Sequence, residues 1–230
     1  YKRQSEHFDY VLMSAGGGTS EHFAPLFEKA GAIVIDNSSQ WRITEDVDLV
    51  VPEVNEPHFT RGIIANPNCS TIQSVVPLKV LQDAFGLSRV AYTTYQAVSG
   101  SGVKGKRDLS EGANGKAPEA YPHPIYNNVL PHIDVFLENG YTKEEQKMID
   151  ETRKILNDKD LKVTATCVRV PVQDSHSVEM DVTLKQDTTV EAIQELFDKD
   201  DRVVLVDNPA KNEYPLACLL YTSLMARGRR

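Results

Sequence analysis

At 230 residues the chain is long enough to bury a sizeable core as one large domain or two small ones. With 40% hydrophobic and 25% charged residues, no apolar run of membrane-span length and no signal-peptide pattern, it reads as a cytoplasmic globular protein with no membrane partner. The formal charge of −8 is spread along the chain without a basic stripe, which excludes nucleic acid as an expected partner. Cys69, Cys167 and Cys218 are spaced too widely for a disulfide framework or a zinc site. A sparse, odd count suits a reducing compartment in which one thiol is a nucleophile and the others are buried.

In chain order, the run Asp9 to Ser14 predicts a strand, Glu21 to Lys29 a helix and Ala32 to Asp36 a second strand. This βαβ alternation argues for an α/β unit with a mostly parallel sheet. The run Gly16-Gly17-Gly18 falls where the first strand hands over to its helix, the edge that ligands favour. Gly62 to Asn66 predicts another strand, leading through Pro67 and Asn68 into Cys69. From Ser70 to Phe85 the apolar positions Ile72, Val75, Val76, Leu78, Val80 and Leu81 predict a helix.

Leu87 to Gln96, rich in β-branched and aromatic residues, predicts a long strand. Ser99 to Pro131 reads as irregular, an active-site loop or subunit contact, with part of Gly102 to Ser110 open to helix. Thr142 to Leu156 predicts an amphipathic helix capped by Thr142, whose side chain accepts the free N–H of Glu145. Val163 to Val170 and His176 to Leu184 predict an antiparallel pair across a short connection, Thr188 a cap for a helix reaching Asp198, and Arg202 to Val206 a closing strand. The basic stretch at 218–230 lacks turn chemistry and reads as a non-native tail.

Cys69 stands between a strand and a long helix, so backbone N–H groups and the positive helix end are expected to favour its thiolate. Thiolate is the nucleophilic form, and a thioester made from it accepts hydride. Alone, a cysteine before a helix is more often a small buried apolar residue. His176 shares the apolar face of its strand with Val178, Met180 and Val182, which suits either a hydrogen-bonded core histidine or a general acid/base. Arg169 ends a stripe of Val163, Ala165 and Cys167, and is either paired structurally or held for a carboxylate, which its planar fork suits.

Asn66-Pro67-Asn68-Cys69-Ser70-Thr71, Tyr95-Gln96-Ala97-Val98-Ser99-Gly100 and Cys167-Val168-Arg169-Val170-Pro171 followed by His176 resemble, in order, the active-site segments of aspartate-semialdehyde dehydrogenases. Ser14-Ala15-Gly16-Gly17 and Val51-Pro52-Glu53-Val54-Asn55 resemble further segments of that family, and the likeness runs from about Phe8 to Leu216. The resemblance implies an α/β chain with a partial Rossmann-like nucleotide-binding domain at 1–68 and an α+β catalytic and dimerisation domain, like that of glyceraldehyde-3-phosphate dehydrogenase, at 69–217. It implies NADP-linked reductive dephosphorylation of aspartyl phosphate through a thioacyl group on Cys69, in the biosynthesis of lysine, threonine and methionine. His176 would be the acid/base and Gln96 would orient the reacting groups. Arg169 would hold the substrate carboxylate, Arg42, Asn68 and Lys147 would contact phosphate, and Glu144 would lie near the substrate. Ser14, Gly16, Gly17, Ser99 and Gly100 would lie along NADP, and the protein would be a homodimer or homotetramer binding only small molecules and its own copies.

Singly, these residues have plainer readings. Gln96 and Asn68 suit turn backbone groups, Lys147 and Glu144 a solvated helix pair, Arg42 a surface charge beside Trp41, and the glycine run a tight turn. The joint order of the motifs favours function. The family's opening strand and Gly-Ala-Thr-Gly-Ala-Val-Gly loop have no counterpart before Phe8, and its C-terminal return segment has none after Leu216, so the resemblance implies a fragment whose cofactor affinity and activity are reduced. N-acetyl-γ-glutamyl-phosphate reductase, similar in fold and thioacyl chemistry, is the near alternative; a non-catalytic association module built on the strands from Leu87 onward is the alternative of another class.

Overall fold

The short apolar runs of the first third pair in parallel. In a computed structural model that describes residues 7–217, β1 (Tyr10–Met13), β2 (Ile33–Asp36), β3 (Asp48–Leu49) and β4 (Ile63–Ala65) form a sheet in the order β1-β2-β4-β3. The crossover helix α1 (Gly17–Lys29) begins one turn before the predicted Glu21, directly on the glycine run. Gly16, at φ 88°, makes the reversal that a side chain at that backbone angle disfavours. Cys218 and the stretch 218–230 lie outside the described residues.

β4 runs into α2 (Cys69–Phe85), and α2 returns the chain to β5 (Leu87–Gln96), both within a residue of expectation. The region after β5 is more regular than predicted: a 3-10 turn at Val98–Ser101 leads into α3 (Gly102–Gly112). α4 (Lys143–Ile155) starts at the predicted Thr142 cap, β6 (Lys162–Arg169) follows, and β7 (Ser177–Leu184) begins just after His176.

The expected β6–β7 hairpin does not form. β5 lies between them, parallel to β6 and antiparallel to β7. β5 is the longest strand, and its backbone N–H and C=O groups are satisfied along one edge by β6 and along the other by β7. The link from β6 to β7 therefore passes over the end of β5, where the N–H groups of Val98 and Ser99 donate to the carbonyls of Val172 and Gln173 at 2.9 and 3.1 Å.

Two further expectations are corrected. Thr189, not Thr188, caps α5 (Val190–Lys199), its side chain accepting from the Ala192 N–H at 3.2 Å. Arg202 to Val206 is not a strand: no partner strand lies beside it among the described residues, and Val204, Leu205 and Val206 face solvent. One apolar core unites both sheets, with Val34 and Ile63 from the first, Leu78 from α2, Met148 from α4 and Tyr92 and Cys167 from the second.

The start of α4 is fastened twice. Glu145 accepts the Thr142 N–H at 2.7 Å with one carboxylate oxygen and the Cys167 N–H at 3.0 Å with the other. Thr142→Ala removes one capping bond and is expected to cost about 1 kcal/mol. Glu145→Ala strands two buried N–H groups and is expected to cost at least about 2 kcal/mol. Equal losses in urea titrations of the two variants would contradict this account.

Candidate active site

Three strand ends meet at one edge of the second sheet because of its register. The parallel pairing sets Gln96 beside Arg169, and the antiparallel pairing sets Tyr95 beside Ser177, so His176 arrives at the same edge. The β4–α2 junction brings Asn68 and Cys69 there, and the first turns of α4 bring Glu144 and Lys147. These residues, with Arg42, Asn37, Asn66, Gly100 and Asp134, line a single cavity of about 520 Å³. Catalytic and substrate-binding candidates from six separate segments thus converge. Of the candidate cofactor residues, only Gly100 lines this cavity; Ser14, Gly16 and Gly17 sit at the β1–α1 turn, and Ser99 lies in the 3-10 turn beside Gly100.

Cys69 is the first residue of α2, and Asn68 is its cap. The Asn68 Oδ1 accepts the Ser70 N–H at 3.0 Å and the Cys69 thiol at 3.2 Å. The thiol is solvent-accessible at the cavity, yet its pKa lies above the ordinary thiol value. Desolvation by the cavity walls is the main cause and the negative charge of Glu144 the next; hydrogen bonds to Ser70 and the charge of Arg169 oppose them. This corrects the expectation of a thiolate. Burial beside a carboxylate therefore outweighs the helix terminus at this thiol.

His176 is half-buried, and the Ala97 N–H donates to its Nδ1 at 2.9 Å. A ring nitrogen that accepts a hydrogen bond carries no proton, so the neutral ring carries its proton on Nε2. Burial and then the charge of Arg169 depress the His176 pKa, with Glu144 opposing. His176 is therefore held as the neutral tautomer with its proton on Nε2.

Glu144 is buried and accepts from Gln96 Nε2 at 3.1 Å and from Lys147 Nζ at 3.2 Å. Burial alone would raise its carboxyl; hydrogen bonds from Asn68, Gln96 and Lys147 and the Lys147 charge overcome this, and it stays ionised. Lys147 also pairs with Asp134 at 2.9 Å, so the helix pair is real but forms part of the cavity wall. Arg42 is not the surface charge of its plainer reading. It is buried and bound to Glu151 at 3.1 Å.

Arg169 stands apart. It is 5% exposed, its Nη1 donates to the Ala97 carbonyl at 2.7 Å, and its guanidinium lies 5.9 Å from the Tyr121 ring centre. Among the described residues it has no carboxylate at ion-pair distance, and its buried Nε has no acceptor. Buried charges are ordinarily paired. An unpaired buried guanidinium beside a thiol is a place built for an anionic ligand. Gly100 keeps this corner open, since a Cβ there would come within 3.1 Å of Arg169 Nη1 and 3.5 Å of His176.

Sequence reasoning missed Glu151, Lys154, Asn37 and Asp134. Glu151 had a legible signal, since it repeats the helical spacing of Glu144 and Lys147 along α4.

Fold and cavity define a two-part α/β protein that sets a cysteine at the junction of a parallel sheet and a mixed sheet. The model described as semialdehyde dehydrogenase, NAD binding domain matches residues 2–61, and that described as semialdehyde dehydrogenase, dimerisation domain matches residues 78–224. The chain belongs to the semialdehyde dehydrogenase family. It is 49% identical over 232 residues to the aspartate-semialdehyde dehydrogenase of Aquifex aeolicus, covering 96% of this chain and 66% of that protein. The Bacillus subtilis aspartate-semialdehyde dehydrogenase is 45% identical over 227 residues, covering 92% of this chain and 66% of that protein. The chain thus spans just under two thirds of the length of these relatives. Among solved structures, aspartate semialdehyde dehydrogenase II of Vibrio cholerae complexed with ASA superposes with a TM-score of 0.79 at 44% identity, over 84% of this chain and 60% of that one. The Candida albicans enzyme with NADP superposes at 0.66 and 28% identity, over 84% of this chain and 55% of that one.

The raised thiol pKa has a testable cause. Glu144→Gln removes the negative charge that disfavours thiolate, so the midpoint for Cys69 alkylation by iodoacetamide is expected to fall, with faster labelling at pH 7.5. An unchanged or higher midpoint would show that Glu144 does not set the ionisation of Cys69.

Proposed function

We propose that the protein carrying this chain catalyses the NADP-dependent reductive dephosphorylation of L-aspartyl-4-phosphate to L-aspartate 4-semialdehyde, a step toward lysine, threonine and methionine. The observation that carries this reading is the buried, unpaired Arg169 in the same cavity as Cys69, the ionised Glu144 and the basic Arg42 and Lys147. Aspartyl phosphate has a carboxylate for Arg169, an ammonium for Glu144 and a phosphate for Arg42, Asn68 and Lys147. An ammonium beside Glu144 also cancels the charge that holds the Cys69 thiol protonated, so substrate binding eases formation of the nucleophile.

Cys69 then attacks the acyl carbon: a C–S bond forms, the C–O bond to phosphate breaks with the electron pair leaving on phosphate, and the thiol proton passes to the departing phosphate. Hydride for the resulting thioester carbon would come from a nicotinamide cofactor held by Ser14, Gly16, Gly17, Ser99 and Gly100. Cys69 next serves as the leaving group: the alkoxide re-forms its carbonyl, the C–S bond breaks, and aldehyde and thiolate separate. Through both tetrahedral stages His176 donates from Nε2 to the oxyanion, a task a neutral ring performs without titrating. Gln96 holds Glu144 and so sets the substrate ammonium in place.

The β1–α1 turn fits part of a dinucleotide. α1 starts without a side-chain cap, and Cβ atoms built on Gly16 and Gly18 meet nothing within 4 Å, which leaves backbone N–H groups open to a ligand. Ser14, Gly16 and Gly17 there, with Ser99 and Gly100 across the cleft, are read as the NADP-contacting residues. Residues 1–68 are read as belonging to the nucleotide-binding part and 69–217 as the catalytic part that dimerises, in a cytoplasmic homodimer or homotetramer.

The test is NADPH formation from aspartate semialdehyde, phosphate and NADP by the full-length protein. Cys69→Ala is expected to abolish it. Arg169→Lys, which loses the planar fork, is expected to raise the KM for aspartate semialdehyde roughly ten- to hundredfold. Robust activity in Cys69→Ala, or an unaltered KM in Arg169→Lys, would overturn these roles.

A further inference from the structure

Glu144, Lys147, Glu151 and Lys154 follow one another at intervals of three or four residues and so form one stripe along α4. The first two face the cavity. The last two reach past it to the loop after β2, which carries Arg42. Glu151 is fully buried; its Oε1 accepts from Arg42 Nη1 at 3.1 Å and its Oε2 accepts the Asn68 N–H at 2.7 Å. The ammonium of Lys154 spends its three donors on the carbonyls of Arg42, Thr44 and Val47 at 2.9, 2.7 and 2.8 Å. Arg42 Nη2 donates to the Asn37 carbonyl at 3.1 Å, while its buried Nε lacks an acceptor.

A buried ion pair adds little net stability over an apolar pair of equal volume, because desolvating both charges offsets their attraction. What this one supplies is geometry. Arg42 Nη1 and the Asn68 N–H are both donors, and they stand on two segments that line the cavity at Cys69. Only a group with two acceptor oxygens satisfies both at once.

We propose that Glu151 is a positioning residue for the phosphate subsite, holding the Arg42 guanidinium and the Asn68 backbone in mutual register while Lys154 anchors the Arg42 loop to the same helix. The proposal rests on the aspartyl-phosphate reading and deepens it, since Glu151 itself touches no substrate. Glutamine at this position offers one acceptor and one donor, so either Arg42 or Asn68 would face a like group. Aspartate keeps both acceptors but is shorter by one methylene.

The experiment measures steady-state NADPH formation by the full-length protein with phosphate, aspartate semialdehyde and NADP varied in turn, for Glu151→Gln, Arg42→Lys, their double variant, Glu151→Asp and Lys154→Met. Glu151→Gln is expected to raise the KM for phosphate roughly ten- to hundredfold, the range for losing a hydrogen bond to a charged group, with the other two KM values within about threefold of wild type. The double variant is expected to be no worse for phosphate than Arg42→Lys alone, as for residues acting through one another. Glu151→Asp and Lys154→Met are expected to shift the same KM by less, and they carry the test if Glu151→Gln is insoluble. Multiplicative effects of Glu151→Gln and Arg42→Lys, or a uniform loss in kcat and all three KM values, would overturn the proposal and leave Glu151 as fold support. Failure of the wild-type protein to form NADPH in a phosphate-dependent manner would instead sink the reaction reading, and this proposal with it.

Discussion

Both edges of β5 are hydrogen-bonded along most of its ten residues, to β6 on one side and β7 on the other, and the cavity depends on that double pairing. A parallel neighbour ends where β5 ends, and an antiparallel neighbour begins there. Gln96 therefore shares one edge with Arg169 and His176, which lie far along the chain from it. The residue directly after β5, Ala97, adds its backbone, whose carbonyl accepts from Arg169 and whose N–H donates to His176. One peptide segment thus orients a cation and fixes a tautomer.

The cavity's charges are organised around what is absent from the protein side. Glu144 is ionised and held by Gln96 and Lys147, whereas the thiol and imidazole stay neutral because burial disfavours their charged forms. Arg169 is buried without a carboxylate among the described residues. Under the proposed reading, a zwitterionic substrate would complete both the acidic and the basic corner and relieve the electrostatic restraint on Cys69.

α4 joins the two halves of the molecule. Its capping box and the second bond from Glu145 tie it to β6, its apolar residue Met148 enters the shared core, and Glu151 and Lys154 reach the loop after β2. Elements separated by more than a hundred residues, such as Arg42 and Glu151, are brought into register by this one helix. The site accordingly sits where the two sheets are most firmly linked, not on a free loop.

Local chemistry in the sequence determined the elements and the identities of the reacting groups. The short apolar run of β4, the periodicity of α2, the β-branched run of β5 and the Thr142 capping box each follow from interactions within a few residues, and the ordered motifs around Cys69, Gln96, Arg169 and His176 marked the chemistry. Tertiary structure alone decided how these were combined. The β6–β7 hairpin expected from proximity gave way to β5 in the centre, because backbone pairing along both edges of β5 outweighs the short connection. Arg202 to Val206, strand-like in composition, found no neighbour to pair with. The thiol expected to ionise at a helix start is held neutral, because desolvation and Glu144 act on it from elements that lie far away in the chain. Long-range burial and charge are sums over the assembled fold, and no window of sequence contains them.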